Sequence, residues 1–491
     1  MDSKEYLKEE RAKEWRAELR KELKTKDRTT LTRTEMPTEP AAERSRSYVE
    51  VNCGLTEAQA INEASRCIDC PDPTCISGCP VEINIPKFIK NIERGDFMQA
   101  AQVLKETSTL PAVCGRVCPQ EKQCEASCFY TLKLHKPAVA IGHLERFAAD
   151  FEQQSGAVSV PETAPSNRIK IAVVGSGPAG LSFAGDMAKM GYDVTVFEAL
   201  HEIGGVLKYG IPEFRLPNSV VDVEIESLQK MGVHFETNFI VGKTASVEDL
   251  REEGFKGFFV SSGAGLPRFM NIPGENLVGV LSSNEYLTRV NLMGASQAGM
   301  DTPVVKGKRV AVIGGGNTAM DSVRTALRLG AEKATIIYRR SLDEMPARVE
   351  EVEHAQEEGV EFLTLHNPLE YIGDDKGKVK QIRLQKMELG EADASGRRSP
   401  VAIDGSDYII DADTVVVSVG VSPNPLIPQS LPDLKVSRWG TLEVNPETFQ
   451  TSIPDIFAGG DIVRGGATVI LAMGDGRKAA KSMDEYIRNR S

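Results

Sequence analysis

The sequence has no long apolar run, no excess of positive charge and no apolar targeting segment, and each absence excludes a class of protein. No stretch approaches the ~18 uncharged apolar residues of a transmembrane helix, so we expect no membrane partner. The 58 Lys and Arg residues are outnumbered by 70 Asp and Glu residues. Because nucleic acid binding needs clustered positive charge, the net charge of −12 argues against nucleic acid as a main ligand.

The N-terminus is charged rather than apolar. Residues 1–24, MDSKEYLKEERAKEWRAELRKELK, have no hydrophobic core and are rich in Glu, unlike a signal peptide or a transit peptide. We therefore expect a cytoplasmic protein. These residues predict a charged helix that is either a solvated arm or a docking helix for a partner, and residues 25–50 predict an extended linker.

Cysteine is absent from the last 363 residues, and all nine cysteines lie between positions 53 and 128. A cytoplasmic chain does not normally keep disulfides, so this concentration indicates a metal centre. Cys53 stands apart and is expected to be a packed thiol. The other eight form two runs, the first of Cys67, Cys70, Cys75 and Cys79 and the second of Cys114, Cys118, Cys124 and Cys128.

The spacing of these runs bears on which metal they bind. Zinc ribbons usually show paired CxxC knuckles, whereas this chain has one CxxC, longer gaps and Pro80 after the last cysteine of the first run. That pattern is typical of ferredoxin-like sites, in which the last cysteine of a run serves another cluster. Thiolates suit both zinc and iron–sulfur, and the nucleotide motifs described next favour iron–sulfur because hydride chemistry that is coupled to single-electron carriers needs such clusters.

A glycine-rich turn follows a polar linker at 152–167. The apolar run RIKIAVVG predicts a buried parallel strand, a helix follows, and DVTVFEA predicts the next strand. The turn between the first strand and the helix fits GxGxxG, with Glu198 at the end of the next strand, where an acid binds ribose hydroxyls. The residues predicted to bind this dinucleotide are Gly175, Gly177, Pro178, Ala179, Gly180 and Glu198.

A second glycine-rich segment near the C-terminus indicates which dinucleotide binds. Gly460 and Asp461 follow an apolar strand, and an Asp there can accept hydrogen bonds from a ribityl chain. The helix that begins near Ala467, Thr468 and Val469 can direct its N-terminal N–H groups at a flavin ring. The pair of motifs therefore predicts FAD rather than NAD at the first turn.

KRVAVIGGGNTAMD repeats the strand–turn–helix plan and predicts a second nucleotide site. Its turn fits GxGxxA, and the next strand ends in Arg339 and Arg340 where an NAD site would place an acid. Because a guanidinium pairs with a 2′-phosphate, this unit is predicted to prefer NADPH. The residues concerned are Gly314, Gly316, Asn317, Thr318, Ala319, Arg339 and Arg340, and the loop glycines Gly205, Gly263 and Gly420 are expected to line the cofactor sites. No residue is predicted as an acid–base catalyst.

These motifs together resemble the small (β) subunits of bacterial NADPH-dependent glutamate synthases over nearly the whole chain. The resemblance rests on RCIDCPDPTCISGCPVEINIPKF, LPAVCGRVCPQEKQCEASC, VVGSGPAGLSFA, GGVLKYGIPEFRLP, VIGGGNTAMD, YRRS with EMPAR, and FAGGDIVRGGATVILAMGDGRKAA. The electron-entry module of dihydropyrimidine dehydrogenase and the large subunit of NADH-dependent ferredoxin:NADP oxidoreductase share this architecture.

The resemblance implies a function. NADPH would give a hydride to FAD, and single electrons would pass through two [4Fe–4S] clusters to a partner, which in glutamate synthase is the large subunit that forms L-glutamate from L-glutamine and 2-oxoglutarate. One alternative is the flavoprotein subunit of a ferredoxin:NADP oxidoreductase or a sulfide dehydrogenase-like complex. A third reading, of another class, is a zinc-stabilised interaction module on a nucleotide-sensing scaffold.

The resemblance also implies how the clusters are held. The dihydropyrimidine dehydrogenase module uses a ligand other than cysteine downstream of its last cysteine, and the matching stretch PAVAIGHLERF places Glu145 there. One cluster is then expected on Cys67, Cys70, Cys75 and Cys128, and the other on Cys79, Cys118, Cys124 and Glu145. Cys114 would remain a buried free thiol.

The expected architecture is an α-helical N-terminal iron–sulfur domain followed by two Rossmann-like α/β dinucleotide-binding domains. At roughly 100–200 residues per domain, 491 residues fit about three domains. Since the two FAD motifs lie far apart in the chain, the FAD domain should be discontinuous, with the NADPH domain inserted. The predicted segments are 1–50 (arm and linker), 51–155 (helical domain with two [4Fe–4S] clusters), 168–284 (first FAD segment), 285–410 (NADPH domain) and 411–491 (second FAD segment).

Overall fold

The N-terminal segment is helical and folds back onto the rest of the chain. The computed structural model describes residues 3–297, 299–394 and 396–490. The first helices are α1 Ser3–Ala12, α2 Glu14–Glu22, α3 Thr25–Arg28 and α4 Ala41–Arg44. The expectation of a solvated arm is wrong, because Arg16 and Arg28 are only 2% and 1% exposed. The linker is not fully extended either, and its Arg44 binds Glu357 and Glu358 of the C-terminal half.

The cysteine-rich segment folds into a helical domain whose helix starts follow from local sequence. Thr56 caps the first of its helices in a capping box with Gln59, and the side chains of Asn84 and Asp96 cap the third and fourth. The domain's helices are α5 Glu57–Ser65, α6 Thr74–Ser77, α7 Ile85–Glu93, α8 Phe97–Lys105, α9 Pro111–Val117 and α10 Ile141–Gln154. Of the eight clustered cysteines, Cys75 lies in α6 and Cys114 in α9, and the other six lie in the connections between the helices.

The first glycine motif opens an α/β unit. Its elements are β1 Lys170–Val174, α11 Pro178–Lys189, β2 Asp193–Phe197, α12 Val206–Tyr209, α13 Asn218–Lys230, β3 His234–Glu236, α14 Val247–Glu252, β4 Phe255–Val260 and β5 Leu266–Pro267. Strand β1 lies between β2 and β4 and is parallel to both. Four of the five residues of β1 are buried, as the continuous apolar run predicts for a strand covered on both faces.

The second glycine motif lies in a second α/β unit. Its elements are β6 Val280–Ser282, α15 Ser283–Asn291, β7 Arg309–Ile313, α16 Asn317–Arg328, β8 Lys333–Tyr338, α17 Val349–Glu357, β9 Glu361–Thr364, β10 His366–Gly373, β11 Val379–Ala392, β12 Arg398–Ala402, β13 Tyr408–Asp411, β14 Thr414–Val417 and β15 Val421–Ser422. The parallel sheet has the order β6-β14-β7-β8-β9, and β10 to β13 form an antiparallel sheet beside it. Because β6 and β14 pair within this sheet, the unit extends past both ends of the predicted segment 285–410.

The C-terminal segment returns to the first sheet. Its elements are α18 Leu426–Ser430, β16 Ile456–Ala458, α19 Asp461–Arg464 and α20 Val469–Arg488. Strand β16 pairs in parallel with β4 and completes the order β16-β4-β1-β2-β3. Helix α20 packs closely along α11, where Ser182 Oγ donates to the carbonyl of Met473 at 3.0 Å. The predicted fold class, a helical iron–sulfur domain and two Rossmann-like units, is confirmed. None of the described helices is long and apolar enough to cross a membrane.

Candidate functional site

The first glycine turn has the geometry of a phosphate-binding turn. Gly175 has φ of +99°, and a Cβ there would stand 2.7 Å from the carbonyl oxygen of Ser261. A Cβ on Gly180 would overlap the carbonyl oxygen of Gly175, so this glycine lets helix α11 pack against the turn. A Cβ on Gly177 would meet nothing within 4 Å, because the backbone there faces open space. The three glycines therefore have the three separate roles of a dinucleotide motif.

Glu198 sits at the end of β2 beside this turn. Its Oε2 accepts hydrogen bonds from the backbone N–H of Ser176 at 2.9 Å and from Ser176 Oγ at 2.6 Å, and its Oε1 accepts one from Leu200 N at 2.9 Å. The carboxylate is buried and closes the turn. It thus stands where the sequence predicts a ribose-binding acid, and it also holds the turn itself.

The C-terminal loop meets the first turn across the sheet. Gly460 has φ of +75°, and a Cβ there would stand 2.9 Å from Cβ of Ala179. Asp461 Oδ1 accepts from the backbone N–H of Ala467 at 3.0 Å, which holds the loop that leads into α20. Burial raises the pKa of Asp461 to about 6. Two motifs separated by some 280 positions in the chain are therefore neighbours in the fold, as their assignment to one cofactor requires.

The second glycine turn repeats the geometry of the first. Gly314 has φ of +142°, and its hydrogen faces the carbonyl of Ser418, where a Cβ would overlap that oxygen. A Cβ on Gly316 would meet nothing within 4 Å. Asn317 Oδ1 accepts from the backbone N–H of Arg348 at 2.8 Å, so this residue joins the turn to the loop that carries the EMPAR motif. The open backbone at Gly316 leaves room for a phosphate at the start of α16.

The two arginines at the end of β8 have different surroundings. Arg339 is exposed on the wall of the site. Arg340 is buried, and its guanidinium donates to Asp393 Oδ2 at 2.6 Å and to the carbonyl of Arg398 at 2.7 Å. Arg340 therefore braces the β11–β12 hairpin, whereas Arg339 is available to a ligand. The same wall includes Arg397, which sequence reasoning missed because it lies in the hairpin, far along the chain from the motif.

Both turns open into one cavity of about 1530 Å³. Of the residues predicted for cofactor binding, Gly180 and Ala319 do not line it, and both are packing positions inside the turns. The lining includes Gly175, Gly177, Pro178, Ala179, Glu198, Gly205, Gly263, Gly314, Gly316, Asn317, Thr318, Arg339, Arg340, Gly420, Gly460, Asp461, Ala467, Thr468 and Val469. A cavity of this size, with one glycine turn on each side, can hold two dinucleotides that meet between the units.

Four cysteines form an outer set that lines one small cavity in the helical domain, namely Cys67, Cys70, Cys75 and Cys128. Burial, together with the neighbouring Cys67 and Cys128, raises the pKa of Cys70 to about 12, and the pKa of Cys75 is also raised well above its usual value. Thiols in such surroundings ionise when a bound cation stabilises the thiolates. The donor set therefore fits a metal cluster. No three His, Cys, Asp or Glu side chains among the described residues converge tightly enough to hold a single metal ion.

Three other cysteines form an inner set with Glu145. Cys79, Cys118 and Cys124 are buried, and burial, with a smaller contribution from the nearby Glu145, raises the pKa of Cys79 and of Cys124. Burial, and secondarily the charge of Glu224, raises the pKa of Glu145 to about 8, and its Oε1 has no hydrogen-bond partner. A buried acceptor without a partner beside three thiols fits a ligand position for a second cluster.

Two further cysteines lie outside both sets. Cys114 is fully buried next to the inner set, and its Sγ lies 3.4 Å from the sulfur of Met473 in α20. The structure therefore brings Cys114 close to the inner donors, although a cluster that uses Glu145 leaves it without a metal. Cys53 was expected to be a packed thiol, and that expectation is wrong. It is exposed, because the segment around it runs along the surface.

Comparison with known proteins agrees with this geometry. Residues 44–157 match the family described as dihydropyrimidine dehydrogenase domain II, 4Fe-4S cluster, and residues 169–476 match the pyridine nucleotide-disulphide oxidoreductase family. The glutamate synthase [NADPH] small chain of Azospirillum brasilense is 38% identical over 91% of this chain and 93% of its own length. The one of Escherichia coli is 37% identical over 93% and 98%. The structure of Mycobacterium tuberculosis FprA in complex with NADPH shares the fold, with a TM-score of 0.55 and 20% identity over 66% of this chain and 85% of that one.

Proposed function

The chain belongs to the family of NADPH-dependent glutamate synthase small chains, and from that premise we propose that it is the electron-input flavoprotein of a larger oxidoreductase. It would take a hydride from NADPH onto FAD and pass single electrons through two [4Fe–4S] clusters to a partner protein. When bound, FAD supplies the conversion of a two-electron donor into single electrons. The observation that carries the proposal is the single cavity shared by both glycine turns, with the inner cysteine set directly behind its wall.

The chain's own residues support a path from this cavity to the cysteines. Val117 lines the cavity and immediately precedes Cys118. Helix α20 borders the cavity at Val469 and Ala472 and, through Met473, contacts Cys114, which is buried next to the inner set. We infer that the inner set is the set nearer to a flavin that Asp461 and α20 would hold.

The two cysteine sets differ in burial, and this difference indicates the direction of electron transfer. Cys79, Cys118 and Cys124 are between 5% and 8% exposed, whereas all four cysteines of the outer set are partly exposed. Cys75, in α6, and Cys79, which follows this helix, lie four residues apart in the chain, so the two sets are adjacent. We infer that the outer set delivers electrons at the surface.

We propose the large chain of glutamate synthase as the partner. The test is to reduce the purified holoprotein with NADPH without oxygen and then to add L-glutamine and 2-oxoglutarate, with and without a co-expressed large chain. We expect flavin reduction in both cases and L-glutamate only when the large chain is present. Flavin reduction without any L-glutamate in the presence of an active large chain would show that the acceptor is a different protein.

We predict that Arg339→Ala removes most of the preference for NADPH over NADH. Hydrogen bonds between an arginine and a charged phosphate contribute ~1.5–3 kcal/mol, which corresponds to roughly 10–150-fold in selectivity. Arg339 is the exposed member of the pair on the cavity wall, so the variant should fold normally. The measurement is the ratio of the rates of flavin reduction by NADPH and by NADH at equal concentration.

Arg340→Ala is the matched control for this prediction. Because Arg340 is bound to Asp393 and to the carbonyl of Arg398, its loss should loosen the β11–β12 hairpin and lower thermal stability, with a smaller change in selectivity. Equal use of NADPH and NADH by the wild-type protein would contradict the cofactor assignment. A loss of selectivity confined to Arg340→Ala would instead assign the phosphate contact to that residue.

A further inference from the structure

The loop between the first two cysteines is held by the N-terminal helices. Asp69, in the middle of the CIDC segment, is fully buried and has φ of +53°. Its carboxylate accepts hydrogen bonds from the guanidinium groups of Arg16 and Arg20 of α2. Its backbone carbonyl accepts a third, from Arg11 Nε at 2.7 Å. Three arginines from residues 3–22 therefore converge on one residue between Cys67 and Cys70.

A second group of cations contacts the same loop at its beginning, near Cys67. Arg28 donates to the carbonyl of Ser65 at 2.6 Å and to that of Cys67 at 3.4 Å, and it pairs with Glu93 at 2.7 Å. Lys90 also donates to the carbonyl of Cys67 and pairs with Glu93 at 2.5 Å. Arg28 and Lys90 are both less than 2% exposed. Water cannot screen their charges as it would on the surface.

These contacts leave an excess of positive charge beside the outer cysteine set. Arg16 and Arg20 share the single carboxylate of Asp69, and Arg28 and Lys90 share that of Glu93. Arg11 adds a further cation through the Asp69 carbonyl. Each carboxylate neutralises only one of its two cations.

The inner set has no such excess of positive charge. The arginines near it are each paired with a carboxylate of their own, Arg33 with Glu125 at 2.9 Å and Arg348 with Glu350 at 2.7 Å. The buried carboxyl groups of Glu145 and Glu224 add no positive charge in either protonation state. The two sets therefore differ in local charge as well as in burial.

We propose that the N-terminal arm, residues 3–28, raises the reduction potential of a cluster on the outer set above that of a cluster on the inner set. A cluster with four thiolate ligands becomes more negative when it accepts an electron, and nearby positive charge stabilises that reduced state. The arm thus makes electron flow from the inner to the outer cluster favourable. This inference rests on the proposed function, since it assumes a cluster at each set.

The test is a redox titration of the holoprotein, with mediators and a chemical reductant, followed by low-temperature EPR. Arg20→Gln removes a positive charge. Asp69→Asn removes a negative charge and keeps a side chain of similar shape, and asparagine tolerates the positive φ at this position. We expect Arg20→Gln to lower the reduction potential of the outer cluster and Asp69→Asn to raise it. Each shift should be about 59 mV, which corresponds to a tenfold change in the equilibrium constant for one-electron reduction. The inner potential should move less.

Lys13→Gln is the matched control. Lys13 lies on the same arm, its side chain is 49% exposed, and it pairs with Glu10 rather than with the loop, so its loss should leave both potentials unchanged. A purely structural role of the arm would make Arg20→Gln and Asp69→Asn shift the outer potential in the same direction, or leave it unchanged while iron is lost. Either result overturns the proposal, and Arg11→Gln provides the same charge test if Arg20→Gln fails to fold.

Because the redox titration uses a chemical reductant, it tests the role of the arm independently of the proposed function. The potentials are set chemically, so they are measured whether or not NADPH reduces the protein. Shifts of opposite sign in a protein that NADPH does not reduce would support the role of the arm and contradict the proposed function. Reduction by NADPH together with unshifted potentials in both variants would support the proposed function and contradict the role of the arm.

Discussion

Cys118→Ser is expected to remove one cluster, about half of the bound iron, and to stop electron transfer from the flavin to any external acceptor. Cys118 is 5% exposed in the inner set, next to the residue that lines the nucleotide cavity. Serine offers a harder and more basic ligand than thiolate, which suits iron–sulfur poorly. Flavin reduction by NADPH should persist, because neither glycine turn is altered. Iron content, low-temperature EPR and dye reduction measure the three effects.

Cys114→Ser is the matched control, because it distinguishes the loss of a cluster ligand from a general disturbance of packing. Cys114 is as buried as Cys118, and the backbone N–H of Cys118 donates to the carbonyl of Cys114 at 3.1 Å, so a general disturbance of packing should affect both variants alike. We expect Cys114→Ser to keep all of its iron and Glu145→Ala to lose about half. If Cys114→Ser loses the cluster and Glu145→Ala retains it, then Cys114 is the ligand and the assignment of Glu145 is wrong.

The nucleotide-binding turns could be predicted from sequence because their determinants are local. Gly175 and Gly314 have positive φ, Gly177 and Gly316 face open space, and Gly180 packs within its turn. Each motif occupies only six consecutive residues, 175–180 in the first turn and 314–319 in the second. Strand and helix patterns on either side fix where such a turn begins. The return of the chain to the first sheet at β16 also followed from a motif, since Gly460 and Asp461 complete a site that begins at β1.

The role of the N-terminal segment could not be predicted in the same way. Its composition is that of a solvated helix, and nothing within the segment marks Arg16 or Arg28 as buried. Their partners, such as Asp69 and Glu93, lie about 50 to 65 residues further along the chain. Charge alone does not reveal burial, because a guanidinium is buried only when another part of the fold supplies acceptors.

The different roles of the two arginines at the end of β8 could not be predicted from the sequence for the same reason. Their type and position predict a phosphate contact for both. Only the tertiary structure shows that Arg340 is bound to the hairpin at Asp393, 53 residues away, and that Arg339 is not so bound. A motif thus identifies the chemistry of a site, whereas the role of each of its residues depends on contacts with residues that are distant in the sequence.

Gly180→Ala is expected to unfold the first α/β unit locally and to eliminate FAD binding. An alanine Cβ would overlap the carbonyl oxygen of Gly175 and stand 2.7 Å from Ser261 Oγ, and the first of these is backbone that cannot rotate away. Overpacking of this kind costs ~1–3 kcal/mol or more in a packed core. We therefore expect a clear fall in the thermal stability of the apoprotein as well as loss of the flavin.

Gly177→Ala, three residues earlier in the same turn, separates packing from binding. Gly177 has φ of −67°, which alanine adopts readily, and the new Cβ would meet nothing within 4 Å in the chain. The apoprotein should therefore keep its stability. The methyl group would stand where the backbone approaches a pyrophosphate, so FAD affinity should fall at least about tenfold, or ~1.4 kcal/mol. Thermal denaturation of the apoprotein and FAD titration measure the two quantities. Equal loss of stability in both variants, or unchanged FAD affinity in Gly177→Ala, would show that this turn does not face the flavin nucleotide.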